Sequence, residues 1–102
     1  MKRFNIKFSD LERLRLLFME NNIDSSILKI SKEKIDFFKK NNIKNIPIEK
    51  QYKYFLNFTN SDYVKFYNIL DDLFIKIGIN VDDNLTSDGF FLEDMLDKFN
   101  IL

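Results

Sequence analysis

The chain contains no cysteine, histidine, tryptophan or alanine, and only one proline and two glycines. Without cysteine no disulfide can staple the fold, which suits a reducing compartment. Without histidine as well, the Ser-His and Cys-His arrangements of nucleophilic catalysis are excluded, because no side chain of the usual kind exchanges a proton near neutral pH. Two isolated glycines, Gly78 and Gly89, cannot build a glycine-rich phosphate loop. No stretch approaches the roughly 20 apolar residues of a membrane span. Met1 to Phe8 alternates charge with bulk and lacks the apolar run of a signal peptide. The expectation is a protein made and kept in the cytosol, with no membrane partner.

At 102 residues there is room for a single globular domain, 1–102. Apolar residues make up 45% of it and twelve are Phe, enough for a core that needs no staple. Ile, Asn, Lys and Phe are abundant, as AT-rich codons would impose, so Asn and Lys are weak functional signals. The net charge is zero but unevenly spread: residues 1–59 hold 13 Lys/Arg against 7 Asp/Glu, giving +6, whereas residues 60–102 hold 3 against 9, giving −6.

Phe4, Ile6 and Phe8 alternate with Arg3, Asn5 and Lys7, the period of a strand with one face inward. Ser9 then stands as an N-cap with Glu12 completing a capping box, and Leu11, Leu14, Leu17 and Phe18 form a helical stripe that Asn21 and Asn22 close. Ile27 to Ile30 reads either as a short strand or as a helix start, since Ser25 and Ser31 both qualify as caps. The favoured reading is a helix from Ser31 to about Asn41 with Ile35 and Phe38 inward. Pro47 bars a helix through it and biases Ile46 toward extended geometry. A second strand follows, with Tyr52, Tyr54, Leu56 and Phe58 on one face and Lys53, Phe55 and Asn57 on the other.

The strongest helical signal spans 62–77, where Tyr63, Phe66, Tyr67, Leu70, Leu73, Phe74 and Ile77 recur at spacings of three and four. Asn60 or Ser61 is its expected cap, and Gly78 its expected end through a positive φ. After a polar loop, a last helix turns Phe91 or Leu92, Met95, Leu96 and Phe99 inward and Glu93, Asp94, Asp97 and Lys98 outward, with Ile101 and Leu102 docking on the core. The fold class expected is α+β, a small antiparallel sheet packed against three or four helices.

Carboxylate pairs could still serve acid–base chemistry, and Asp71-Asp72 or Asp82-Asp83 are the obvious pairs. Adjacent residues on a helix do not face each other, so solvated acids beside an apolar stripe explain them better, and no catalytic residue is expected. Asp82 to Glu93 has the length of a calcium loop, with Asp82, Asn84, Thr86 and Glu93 at positions 1, 3, 5 and 12. Position 6 is Ser87 where the turn needs glycine, and Phe90 at position 9 offers no oxygen. Neither metal nor cofactor is expected. Asp88 instead suits the start of the last helix, where the dipole favours an anion.

Two surfaces remain. The first half carries Lys29, Lys32, Lys34, Lys39, Lys40, Lys44, Lys50 and Lys53 with Tyr52 and Tyr54, a set that could meet phosphate. Codon bias alone accounts for the lysines, and nucleic acid is the alternative partner rather than the expected one. The second half carries Asp71, Asp72, Asp82, Asp83, Asp88, Glu93, Asp94 and Asp97, which codon bias would not gather in one half. A clustered acidic face suits a basic protein partner, because complementary charge steers encounter and selects partners.

Residues 84–99, a Leu85-Thr86 turn, Gly89 and then Glu93-Asp94-Met95-Leu96-Asp97, resemble the C-terminal segment of some immunity proteins of contact-dependent growth inhibition and related polymorphic toxin systems. The likeness implies a small cytosolic bacterial protein without activity of its own that binds and neutralises a cognate toxin domain, often a nuclease. The other readings are a nucleic-acid-associated or regulatory module, antitoxin-like or phage-encoded, that uses the basic half, and a structural interaction protein.

Overall fold

The computed structural model describes residues 1–101, and the fold is α+β: a three-stranded antiparallel sheet and four helices. In chain order the elements are β1 (Lys2–Ile6), α1 (Phe8–Glu20), β2 (Lys29–Lys34), α2 (Asp36–Lys40), β3 (Tyr52–Phe58), α3 (Asn60–Ile77) and α4 (Ser87–Phe99). Their contacts gather in two units, Met1–Thr59 and a second that begins at Asn60. Among the described residues no helix is long and apolar enough to cross a membrane.

In the first unit β3 is the central strand, with Phe4 of β1 and Ile30 of β2 both in register with Leu56. The alternation read in the sequence is realised in β3: Tyr54, Leu56 and Phe58 are buried, while Lys53 is exposed and Phe55 and Asn57 are half-buried. The Phe4 and Phe58 rings stand 6.2 Å apart on the inward face. On the opposite face the Arg3 guanidinium lies 3.6 Å from the centre of the Phe55 ring and its Nη2 is 2.6 Å from Glu33 Oε1. One side chain of β1 thus crosses the central strand to reach β2. Asn57 adds a second cross-strand tie, donating from Nδ2 to the Lys29 carbonyl and to Ser31 Oγ.

Helix α1 buries Leu11, Leu14, Leu17 and Phe18, the stripe its spacing demands. Its start differs from the capping-box reading: the cap position is Lys7, no side chain caps it, and Ser9 lies inside the first turn. The aromatic packing accounts for the shift. Phe8 leaves the strand and enters the helix with its ring 5.1 Å from that of Tyr54. At the far end Asn21 Nδ2 donates to the Leu17 carbonyl and Asn22 takes the left-handed conformation with φ 56°, as its residue type allows.

The helix expected from Ser31 to Asn41 is not formed. Lys29 to Lys34 pairs with β3 over six positions, and only Asp36–Lys40 is helical. Ile35 and Phe38 are half-buried, Ile35 as the residue before this short helix. The segment offers too few apolar residues to bury a helical face, and the open edge of β3 supplies a full ladder of hydrogen-bond partners, so tertiary pairing overrides local propensity. A lysine-rich composition is compatible with an edge strand, which keeps one side in water. Neither Ser25 nor Ser31 acts as a cap; Asp24 does, accepting from the Ser26 N–H at the start of a short 3-10 turn. After α2 the loop is pinned from within by buried Gln51, whose Nε2 donates to the carbonyls of Ile43 and Ile46.

In the second unit α3 buries Phe66, Leu70 and Leu73, with Phe74 half-buried, and α4 buries Phe91, Leu92, Met95 and Phe99. Phe66 meets Phe99 edge-on, ring centres 5.0 Å apart, and the Tyr63 hydroxyl donates to the Phe99 carbonyl. Asn60 and Ser61, expected to cap α3, lie within its first turn. Gly78 does not end α3 through a positive φ, since the positive φ values among the described residues belong to Asn22 and Asp83. What it supplies is room. A Cβ on Gly78 would lie 3.1 Å from the Cα of Gly89, and one on Gly89 would fall on the Gly78 carbonyl oxygen.

The loop between α3 and α4 is organised by two side chains. Asn80 Oδ1 accepts from the N–H groups of Asp82 and Asn84, and Asp83 takes the left-handed turn beside it. Thr86 Oγ1 accepts from the Gly89 N–H, capping α4, and donates to the Ile77 carbonyl at the end of α3. Its own N–H goes to the Gly78 carbonyl, so Thr86 ties both helix ends together. Ile101 is exposed rather than docked, and Leu102 lies outside the described residues.

Candidate interaction surface

The boundary between the two units falls between Thr59 and Asn60, the same point at which the sequence changes from a +6 segment to a −6 segment. Each unit is therefore a structural body with its own sign of charge.

Of the eight acidic residues read from the sequence, seven are exposed: Asp71 and Asp72 on α3, Asp82 and Asp83 in the loop, and Glu93, Asp94 and Asp97 on α4. None of the seven forms an ion pair with another described residue, so their charge is directed at solvent. Asp88 stands apart. It is half-buried in the first turn of α4, where its carboxylate complements the helix dipole.

The helical period sorts the exposed acids into groups. Asp94 and Asp97 stand three apart and Glu93 and Asp97 four apart, so all three share the outward side of α4. Phe90 belongs to that same side, at three, four and seven residues from Glu93, Asp94 and Asp97, and it is 60% exposed. An aromatic ring held in water among three unpaired carboxylates is absent from the sequence reading, which considered Phe90 only as a deficient calcium-loop position. The available signal was the spacing: Phe90 lies three, four and seven residues from the acids Glu93, Asp94 and Asp97, whereas Phe91 lies four and eight from the buried Met95 and Phe99. On α3, Asp71 and Asp72 precede Ile75 by four and three residues, and Ile75 is 66% exposed.

Asp82 and Asp83 belong to the turn around Asn80, whose side chain takes the backbone N–H groups of Asp82 and Asn84. Glu93, the position-12 candidate of a calcium loop, stands in the second turn of α4.

The basic set of the first unit is divided by strand alternation. Lys29 and Glu33 share the face of β2 that carries Ser31, and Lys32 and Lys34 share the other, so a single edge strand sends its lysines to both sides of the sheet. Lys39 is paired with Asp36, and Lys32 lies over the Tyr52 ring with its Nζ 4.5 Å from the centre. Tyr54, counted with Tyr52 in the set that could meet phosphate, is buried. Seven acids of the second unit stand unpaired among the described residues, whereas the basic unit spends part of its charge internally.

Comparison with protein-family models, with curated proteins and with solved structures returns no match, so the functional reading rests on the residues of this chain.

Proposed function

We propose that this chain is a cytoplasmic, immunity-type protein that binds and neutralises a bacterial toxin domain, in the first instance a nuclease, through the acidic surface of its second unit, and that it has no catalytic role of its own. The observation that carries the reading is the coincidence of the charge boundary with the structural boundary at Thr59, which makes residues 60–102 a body of net charge −6. Seven of its carboxylates are exposed and unpaired among the described residues. A nuclease must present a basic face to hold phosphates, and an acidic protein surface competes for that face by the same electrostatics.

The α4 face with Phe90 supports the same reading. Binding energy in protein interfaces concentrates on a few residues, and aromatic side chains surrounded by contacts that exclude water are prominent among them. Phe90 with Glu93, Asp94 and Asp97 has that composition: an anchor, and charges that select a basic surround.

The test is affinity capture from the native cell with the wild-type chain and with a variant carrying Phe90→Ala, Asp94→Lys and Asp97→Lys. The expected result is a basic protein recovered by the wild type and lost by the variant. Recovery of nucleic acid in place of protein, or capture unchanged by the variant, defeats the reading.

A further inference from the structure

The sheet of the first unit buries one face only. Its core lies beneath Tyr54, Leu56 and Phe58, whereas no residue that β1, β2 and β3 turn to the other face is buried. That open face is polar and positive: Arg3, Lys29 and Lys53 are exposed on it with one carboxylate, Glu33. Its one aromatic ring is Phe55, half-buried in the central strand, with the Arg3 guanidinium 3.6 Å from the ring centre. Glu33 holds Arg3 from the side, and the Arg3 side chain is still 46% exposed, so the cation has a side open to a second ring.

Helix α4 has the complementary composition. Its outward side carries one exposed ring, Phe90, the three carboxylates Glu93, Asp94 and Asp97, and one cation, Lys98, four residues from Asp94. Each surface therefore holds one ring and a net of two charges, and the signs are opposite. The dimensions agree as well. A helix of 13 residues is about 20 Å long and about 10 Å wide with its side chains. The seven residues of β3 extend about 23 Å, and its two flanking strands stand about 10 Å apart.

We propose that the open sheet face of one copy of this chain takes the α4 face of a second copy, with Phe90 laid on the exposed side of the Arg3 guanidinium and Asp94 and Asp97 turned to Lys29 and Lys53. Arg3 then lies between two rings, Phe55 of its own copy and Phe90 of the other, an arrangement that cation–π attraction favours. One helix on one sheet face is a small contact, of the size that gives weak and reversible association. The self-contact uses the same α4 face as the toxin reading but needs no toxin, and a tighter basic partner displaces it.

The experiment is sedimentation velocity of the full chain from about 20 μM to about 1 mM, the range of weak contacts, at about 0.02 M and about 0.5 M salt. The mean mass should rise with concentration at low salt and return to that of the monomer at high salt. Asp94→Lys with Asp97→Lys, and Lys29→Glu with Lys53→Glu, should each raise the concentration needed by about tenfold or more. An equimolar mixture of these two variants should associate again, because each supplies the charge that the other has lost. Asp71→Lys with Asp72→Lys changes the net charge equally on α3 and should associate as the wild type does. Phe90→Ala, with every charge intact, should weaken association about tenfold. Thermal midpoints check that each variant is folded. A chain that stays monomeric to about 1 mM at low salt overturns the proposal, as does a mixture that fails to associate. Loss of association in the α3 variant overturns it in favour of net charge alone. A monomer whose Arg3, Lys29 and Phe55 amides shift with a short single-stranded oligonucleotide overturns it in favour of nucleic acid on the sheet.

Discussion

Gly78 and Gly89, the only two glycines of the chain, meet backbone to backbone at the junction of α3 and α4, so closely that a Cβ on Gly89 would fall on the Gly78 carbonyl oxygen. The Gly78 carbonyl is in turn held by the Thr86 N–H at 2.9 Å, so it has no freedom to move aside. In an ordinary helix interior a Gly→Ala change stabilises by about 1 kcal/mol through propensity. Here the sign should reverse: Gly89→Ala should destabilise by roughly 1–3 kcal/mol, the usual cost of overpacking. A denaturant midpoint raised by Gly89→Ala would show that the two backbones leave room for the methyl group.

Thr86 joins the two helices through one hydroxyl, which accepts from Gly89 N–H and donates to the Ile77 carbonyl. Thr86→Val keeps the shape and removes both bonds, and should cost about 1–2 kcal/mol, the range of a lost N-cap. Thr86→Ser keeps the oxygen and should recover most of that loss. A Val variant at least as stable as the Ser variant, measured by urea unfolding, would mean that the methyl group matters as much as the hydroxyl or more.

Leu70 is fully buried on α3 in the same stripe as Phe66 and Leu73. Leu70→Ala should lower stability by about 2–5 kcal/mol through lost transfer energy and an unfilled cavity. The same change at Ile75, which is 66% exposed, should fall within about 0.5 kcal/mol of the wild type, as surface substitutions do. Thermal melts of the pair separate the inward from the outward side of α3.

Exposed carboxylates act at a distance limited by salt, with a Debye length of about 8 Å at physiological ionic strength. Once a basic partner is in hand, its association should slow as salt rises. Reversal of Asp72, Asp83, Asp94 and Asp97 to Lys should cut the association rate by about tenfold or more, while reversal of Lys32, Lys39 and Lys40 should leave it nearly unchanged. Phe90→Ala should act differently, raising the dissociation rate and sparing association, because short-range contacts govern residence time. Stopped-flow traces with the three sets tell steering from anchoring.

Tyr54 links stability to alkaline pH. Its folded pKa is raised above the ordinary value of 10.0, by burial first and then by the Glu49 charge. The unfolded chain therefore releases this proton at lower pH than the folded one, and the stability it contributes is complete below pH 10 and declines as pH rises beyond it. Tyr54→Phe should make the fall in stability above pH 10 shallower than in the wild type, measured by urea unfolding at successive pH values. Identical slopes would place the phenol in a water-like setting.

Those features that depend on one element's own period are legible in the sequence. The stripes Leu11-Leu14-Leu17-Phe18 and Phe66-Leu70-Leu73 are buried as spaced, since a helix of period 3.6 carries its pattern wherever it packs. The alternation of Tyr54, Leu56 and Phe58 is realised for the same reason at period two. The opposed charges of the two halves were also plain in the sequence. That they coincide with two structural units was not, because composition does not mark where contacts stop.

What the tertiary structure decided are the features that need two segments at once. Lys29–Lys34 is a strand because β3 has an open edge to offer it, and nothing within those six residues specifies that edge. Gly78 is small for the sake of Gly89, a reason invisible from either position alone. Arg3 meets Phe55 and Glu33 only because β3 lies between β1 and β2. Local periodicity is a property of consecutive residues and survives any packing, whereas pairing, clearance and stacking belong to pairs of segments whose meeting is settled only when the whole chain has folded.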